Sequence, residues 1–162
     1  MRLFVILFCL WFTLTSCQTQ PLIKGEEAKL KRVISTQSLE LIINNKTYRL
    51  RLTGLDNNSL PPPIMEEGKQ YFTNLLSTPT SVNLIIETDL EKKDKFARIS
   101  GYAWYDDLLL NQMILKEGYS LLNLDYTDGK YDRTLINAQE YARLMQKGIW
   151  NRESWGVGRL GD

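Results

Sequence analysis

Apolar and polar positions alternate most regularly around residue 40, where Leu39, Leu41 and Ile43 interleave with Ser38, Glu40 and Ile42. The alternation resumes in Thr47-Tyr48-Arg49-Leu50-Arg51-Leu52-Thr53. A period of two marks a strand that buries one face, so two strands are predicted, with Asn44-Asn45 as the hairpin turn between them. In the second strand Tyr48, Leu50 and Leu52 share one face, and Arg49, Arg51 and Thr53 the other. After Gly54, Asp56-Asn57-Asn58-Ser59 and Pro61-Pro62-Pro63 predict a surface loop whose prolines forbid helix and central strand. The spacing then becomes helical. Gly68, Phe72, Leu75 and Leu76 predict a helix with Glu66 and Glu67 near its N-terminus, where the helix dipole favours them, and Pro79 beyond its end. Residues 82–86 read as a short strand and 87–95 as a charged turn. Residues 96–104 read as another strand, with Phe96, Arg98, Ser100, Tyr102 and Trp104 on one side and Ala97, Ile99, Gly101 and Ala103 on the other. Two helices close the pattern. One covers about 110–117 and stops at Gly118; the other follows Asp132, repeats Leu135, Ala138, Ala142 and Met145, and stops at Gly148. Strands followed by helices indicate an α+β fold.

The N-terminus follows a different pattern. Arg2, an apolar run over 3–12 and small or hydroxylated residues before Cys17 form a secretory signal, too short to span a bilayer comfortably. Leu14-Thr15-Ser16-Cys17 resembles the lipobox of bacterial lipoproteins, in which cleavage precedes a cysteine that then carries acyl chains. The expected organisation is a signal peptide over 1–16, a lipidated Cys17 with a polar tether over 17–29, a folded domain over 30–151 and a tail over 152–162. That arrangement implies an exported protein of the cell envelope, held to a membrane through its N-terminal lipid. An ordinary signal peptide or an uncleaved anchor, with Cys17 a stray thiol, exports the chain equally.

Composition narrows the chemistry. The 162 residues contain no histidine, which removes imidazole bases, the Ser-His-Asp triad and histidine-ligated zinc. Two cysteines cannot supply four thiolates, and Cys9 departs with the signal, so no disulfide forms within the mature chain. A 43% hydrophobic content with 20 basic and 19 acidic residues describes one globular domain and excludes disordered, collagen-like and multi-span membrane classes. Loss of Arg2 leaves equal numbers of basic and acidic residues, so net charge gives no general attraction for polyanions. Carboxylates, Arg, Lys, Tyr and a hard metal remain as the reactive groups.

Four short motifs then stand in order. They are Arg51-Leu52-Thr53-Gly54-Leu55-Asp56; Asp94-Lys95-Phe96-Ala97-Arg98 leading to Gly101-Tyr102-Ala103-Trp104; Glu117-Gly118-Tyr119; and Gly148-Ile149-Trp150. Over roughly 33–151, this series resembles the thermonuclease (staphylococcal nuclease-like) family. The resemblance implies a five-stranded OB-fold-type β-barrel with three α-helices and calcium-dependent hydrolysis of DNA and RNA phosphodiesters. It also assigns Arg51 and Arg98 as the catalytic clamp on the scissile phosphate, a task suited to a planar guanidinium that stays charged. Asp56 matches a calcium carboxylate, Lys95 a lysine near a terminal phosphate, and Tyr126 an aromatic beside the nucleotide. Read alone, Arg51 and Arg98 are exposed barrel arginines, Asp56 a turn residue and Lys95 a solvated charge.

Several positions depart from the family pattern. Ser59 stands at the position of the glutamate that activates water, and a serine hydroxyl cannot take a proton at neutral pH without a base of its own. Gln37, in Thr36-Gln37-Ser38, stands where a second calcium carboxylate is usual. Calcium takes six to eight oxygens and draws affinity from their charge, so a weak calcium site is expected. Phe96 replaces a tyrosine that bonds phosphate, and Leu124 replaces an aromatic. Glu66, Glu67, Glu87, Asp89 and Asp94 are the carboxylates available as replacements, with helix-start and solvated turn charges as their simpler reading. Three functions therefore stay open for an expected monomer: a tethered nuclease with a weakened site, a non-catalytic binder of nucleic acid or another phosphate-bearing ligand, and a protein-interaction lipoprotein using the barrel as scaffold.

Overall fold

The two alternating runs form a hairpin whose turn residues, Asn44 and Asn45, both have positive φ (48° and 62°), the geometry that matches strand twist in a two-residue turn. The computed structural model describes residues 24–77 and 82–151. The signal peptide, Cys17, the tether up to residue 23, Pro79 and the tail over 152–162 lie outside the described residues. In chain order the elements are β1 (Glu26–Ser35), β2 (Ser38–Ile43), β3 (Lys46–Leu52), β4 (Leu55–Asp56), α1 (Pro62–Leu75) and β5 (Asn83–Lys93). They continue with β6 (Ile99–Tyr105), β7 (Leu108–Leu109), α2 (Leu110–Lys116), β8 (Leu121–Leu122) and α3 (Asp132–Leu144), with short 3-10 turns at Leu124–Tyr126 and Gly148–Trp150.

The main sheet runs β3-β2-β1-β5-β6-β7, and β6 also pairs with β3. This last pairing is parallel, with Leu50 opposite Ile99, Arg51 opposite Ser100 and Leu52 opposite Gly101. It closes β1, β2, β3, β5 and β6 into the OB-type barrel that the resemblance implied, with three α-helices outside it. The inward positions of the alternating strands fill the interior: Leu39, Leu41, Leu50, Leu52, Ile86 and Ile99 are fully buried. Each such side chain contributes about 1.5–3 kcal/mol of hydrophobic stabilisation. α1 covers the barrel with Ile64, Gly68 and Phe72 and α2 with Leu110, Ile114 and Leu115, while α3 packs on α2 and buries Leu135, Ala138 and Ala142.

Several boundaries differ from the sequence reading. Glu26 to Lys29, assigned to the tether, belong to β1: Glu26 pairs with Ile86 and Lys29 with Asn83, and Ala28 is buried, so tertiary pairing overrides a polar composition. Residues 87–93, read as turn, continue β5, whose exposed half tolerates charge. The following turn occupies 94–98, so Phe96 and Arg98 precede β6 rather than lie in it. Pro62 and Pro63 open α1 at its first two positions, where the missing N–H has no intrahelical partner to lose. Glu66 and Glu67 accordingly fall beyond the first turn. α3 ends at Leu144, before Gln146 and Gly148 with positive φ (51° and 50°).

Asn111 stitches the closure together. Fully buried on α2, it accepts the Ala103 N–H of β6 at 3.1 Å and donates to the Thr53 carbonyl, just past β3, at 2.8 Å. Truncation strands a buried N–H and a half-buried carbonyl, so Asn111→Ala is expected to lower unfolding stability by about 3 kcal/mol in urea titration. A loss under about 1 kcal/mol would mean that the closure does not rely on this amide.

Candidate functional site

Barrel closure places Arg51 next to Ser100, on the outward face opposite the buried Leu50 and Leu52. Arg98 lies two residues before Ser100, at the mouth of the same strand. Gly54, with φ +80°, turns the chain out of β3 and donates its N–H to the Tyr126 carbonyl at 2.9 Å. This brings the Tyr126 ring beneath Arg51, whose guanidinium carbon sits 4.3 Å from the ring centroid. Arg98 is supported twice. Its guanidinium lies 4.9 Å from the Phe96 centroid, and its Nε and Nη2 both meet Asp94 Oδ2 at 2.7 Å. Lys95 approaches the same ring, with Nζ at 5.2 Å. Phe96 is 60% exposed, an aromatic surface shared by two cations.

Asp94 builds this turn as well as pairing with it. Its Oδ1 accepts the N–H of Phe96 at 2.8 Å and of Arg98 at 3.0 Å, while Ala97 between them adopts φ +58°. Desolvation alone would raise the Asp94 carboxyl; the Arg98 guanidinium and the two N–H donors outweigh it and bring the group down to about 2.

The loop after β4 is fixed from within. Asn57 Nδ2 donates to Thr36 Oγ1, and Ser120 Oγ donates to Asn57 Oδ1 at 2.5 Å, all three residues being buried. This network joins the β1–β2 turn to the loop that carries Asp56 and Ser59. Asp56 Oδ1 accepts the Asn58 N–H at 3.0 Å, and its Oδ2 lies 3.5 Å from Asn123 Nδ2. Ser59 is exposed. Gln37 has a buried Oε1 without a hydrogen-bond partner among the described residues. The donor set offered to a calcium ion is thus a carboxylate already engaged with backbone and amide, plus a neutral amide oxygen. No three acidic, cysteine or histidine residues gather to hold a metal among the described residues. These residues do not fit a six- to eight-oxygen, charge-rich calcium cage.

Four of the five candidate replacement carboxylates have other partners. Glu87 accepts from Trp104 Nε1 at 2.9 Å and Tyr131 Oη at 2.8 Å and pairs with Lys130. Asp89 bonds the Glu91 N–H and pairs with Lys92, Asp94 is committed to Arg98, and Glu66 accepts weakly from Gln70.

Beside the arginines lies a cleft of about 490 Å³ that the sequence did not reveal, lined among others by Thr53, Asp89, Ser100, Tyr126 and Asp128. Tyr102 donates to Asp128 Oδ1 at 2.7 Å across it. The alternation that placed Ser100 and Tyr102 with Arg98 carried a signal for one wall. Asp128, in a loop without periodicity, carried none.

Comparison with known proteins follows this geometry. A family described as "Staphylococcal nuclease homologue" matches residues 51–152. A protein of Staphylococcus intermedius named "Thermonuclease" is 29% identical over 133 residues, 80% of this chain and 79% of that protein. Another "Thermonuclease", from Staphylococcus hyicus, is 26% identical over 126 residues, covering 76% and 75%. An "Uncharacterized 38.1 kDa protein" of Capnoides sempervirens is 28% identical over 121 residues, 74% of this chain and 32% of that one.

The Asp94–Arg98 pair has a pH signature. Because the folded carboxyl titrates below its ordinary value of 3.8, its stabilising contribution is complete above that value and disappears as pH falls through about 2. Carboxyl NMR titration should place the Asp94 midpoint near 2. Arg98→Ala should return it towards 3.8, and an unmoved midpoint would show that the guanidinium is not the cause.

Proposed function

Because the chain belongs to the staphylococcal nuclease homologue family, we propose that it grips the phosphodiester backbone of nucleic acid with Arg51 and Arg98 and hydrolyses it far more slowly than an intact site would. The observation that carries this reading is the parallel β3–β6 pairing, which sets the ring-supported guanidinium of Arg51 on β3 beside the strand whose preceding turn carries the ring-supported guanidinium of Arg98. Their forked donors match the oxygens of a phosphate and stay charged as negative charge accumulates in the transition state. Water receives no comparable help. Ser59 occupies the base position without a histidine to activate it, and removal of a general base costs roughly 10²- to 10⁴-fold.

The signal-like residues 1–16 and the lipobox-like segment ending at Cys17 support export and attachment to a membrane of the cell envelope through an N-terminal lipid. Residues 18–25 would then be the tether, shorter than the sequence alone implied, because β1 begins at Glu26. Cys17→Ser should move the protein from the membrane to the soluble fraction; retention in the membrane would point to an uncleaved anchor.

Hydrolysis of single-stranded DNA by the full chain in detergent, with added calcium or with chelator, tests the catalytic reading. The unmodified chain should cleave slowly, Arg98→Ala should abolish that activity, and Ser59→Glu combined with Gln37→Asp should raise calcium-dependent cleavage by about 10²-fold or more. Fast cleavage by the unmodified chain that the double substitution does not improve would refute a weakened site.

A further inference from the structure

Arg51 stands on β3 between two unlike surroundings. Towards Thr53 lies the cleft, whose lining sets Glu87, Asp89 and Asp128 against the single cation Lys130. Towards the start of the strand lies Arg49, two residues back and on the same outward face. Arg49 is exposed and has no ion pair or side-chain hydrogen bond among the described residues. In the β3–β6 register it stands one place before Leu50, as Arg98 stands one place before Ile99, so closure sets the two arginines at the same level of the barrel.

The positive charge continues across the sheet. Arg49 lies opposite Glu40 of β2, and Glu40 lies opposite Arg32 of β1. Arg32 Nε meets Glu40 Oε2 at 2.7 Å, and Lys31 Nζ lies 3.6 Å from the same oxygen. Three cations thus share one carboxylate, and the row stays positive. The side chains of Arg32 and Lys31 are 65% and 49% exposed and that of Glu40 only 15%, so the cations stand outside the acid that holds them. A strand spacing of about 4.8 Å puts β1 about 10 Å from β3, and two residues along a strand cover about 7 Å. Arg51, Arg49 and Arg32 therefore mark a path that leads out of the clamp and away from the acidic cleft.

We propose that Arg49 and Arg32, with Lys31, form a second binding stretch that holds phosphates of a nucleic-acid strand beyond the one seated at Arg51 and Arg98. The inference rests on the phosphate-binding reading of those two arginines and adds to it a direction and a length. The strand leaves the clamp across β3, β2 and β1, and the favoured ligand is an oligonucleotide rather than a dinucleotide. Fields of opposite sign on the two sides of Arg51 fix that direction, because a phosphate chain is repelled by the cleft and drawn along the row.

Calorimetric titration of the full chain in detergent and chelator, over a series of salt concentrations, tests the path. The probes are a twelve-nucleotide thymidylate strand and a 5′-phosphorylated thymidylate dinucleotide. The longer strand should bind more tightly and with a steeper salt dependence, by about 0.7 in the log–log slope for each added phosphate contact. Arg32→Gln combined with Arg49→Gln should lower that slope by about 1.4 and weaken the longer strand about tenfold at low salt, while leaving the dinucleotide within twofold. Lys116→Ala combined with Arg143→Ala, on the helical side, should change neither ligand. An unchanged slope in the Arg32, Arg49 variant, with binding of both ligands lost in Arg51→Ala, would overturn the path and leave the clamp standing. An equal loss of the longer strand in the helical-side variant would overturn it too, since the attraction would then belong to the whole surface. Binding of neither ligand by the unmodified chain would overturn both path and clamp.

Discussion

Everything on the functional face depends on three residue pairs that join β3 to β6 in parallel. Without them the sheet is an open ribbon with Arg51 on its edge strand and Ser100 four strands away. With them the strands become a barrel, the apolar interior is sealed, and the outward side chains of two sequence-distant segments become neighbours. Asn111 shows what this closure requires. Where two strands meet at the barrel rim, backbone groups face inward without ladder partners, and one buried amide from α2 satisfies them. Gly101, opposite Leu52 in the closing pairs, is small for the sake of its other neighbour: an added methyl would press on the Thr88 side chain and the Glu87 carbonyl of β5.

Regular, half-buried elements were legible in the sequence because their periodicity is local. The β2–β3 hairpin and α2 stand close to where alternation and helical spacing put them. The misjudged segments are those whose conformation is decided at a distance. Glu26 to Lys29 become strand because β5 is there to pair with them, and residues 87–93 stay extended because β6 continues alongside, although the charges there resemble a turn. Prolines 62 and 63 misled for another reason, since the argument that excludes them from a helix interior does not hold at its first two positions.

The candidate site was legible in part. The family resemblance nominated Arg51, Arg98, Asp56, Lys95 and Tyr126, and the structure brings Arg51 to Tyr126 and Arg98 to Phe96. It could not show that Phe96 props Arg98 and underlies Lys95, because a tyrosine-to-phenylalanine change reads only as a missing hydroxyl. Nor could it show the buried Thr36–Asn57–Ser120 network, three polar residues from three loops that meet only in the folded chain. That network holds the Asp56 loop in place through bonds that do not involve Ser59.

The pairing of Arg98 with Asp94 adds a consequence for which anions the face will admit. A guanidinium whose Nε and Nη2 already meet a carboxylate oxygen is not an open receptor. An incoming anion has to compete with a tethered one that never diffuses away. Chloride, with a single charge and no fork to match, is poorly equipped for that contest. A phosphate brings several oxygens and contacts with Arg51 at the same time. The internal carboxylate thus acts as a resident competitor, keeping the arginine ordered while screening out simple monovalent ions.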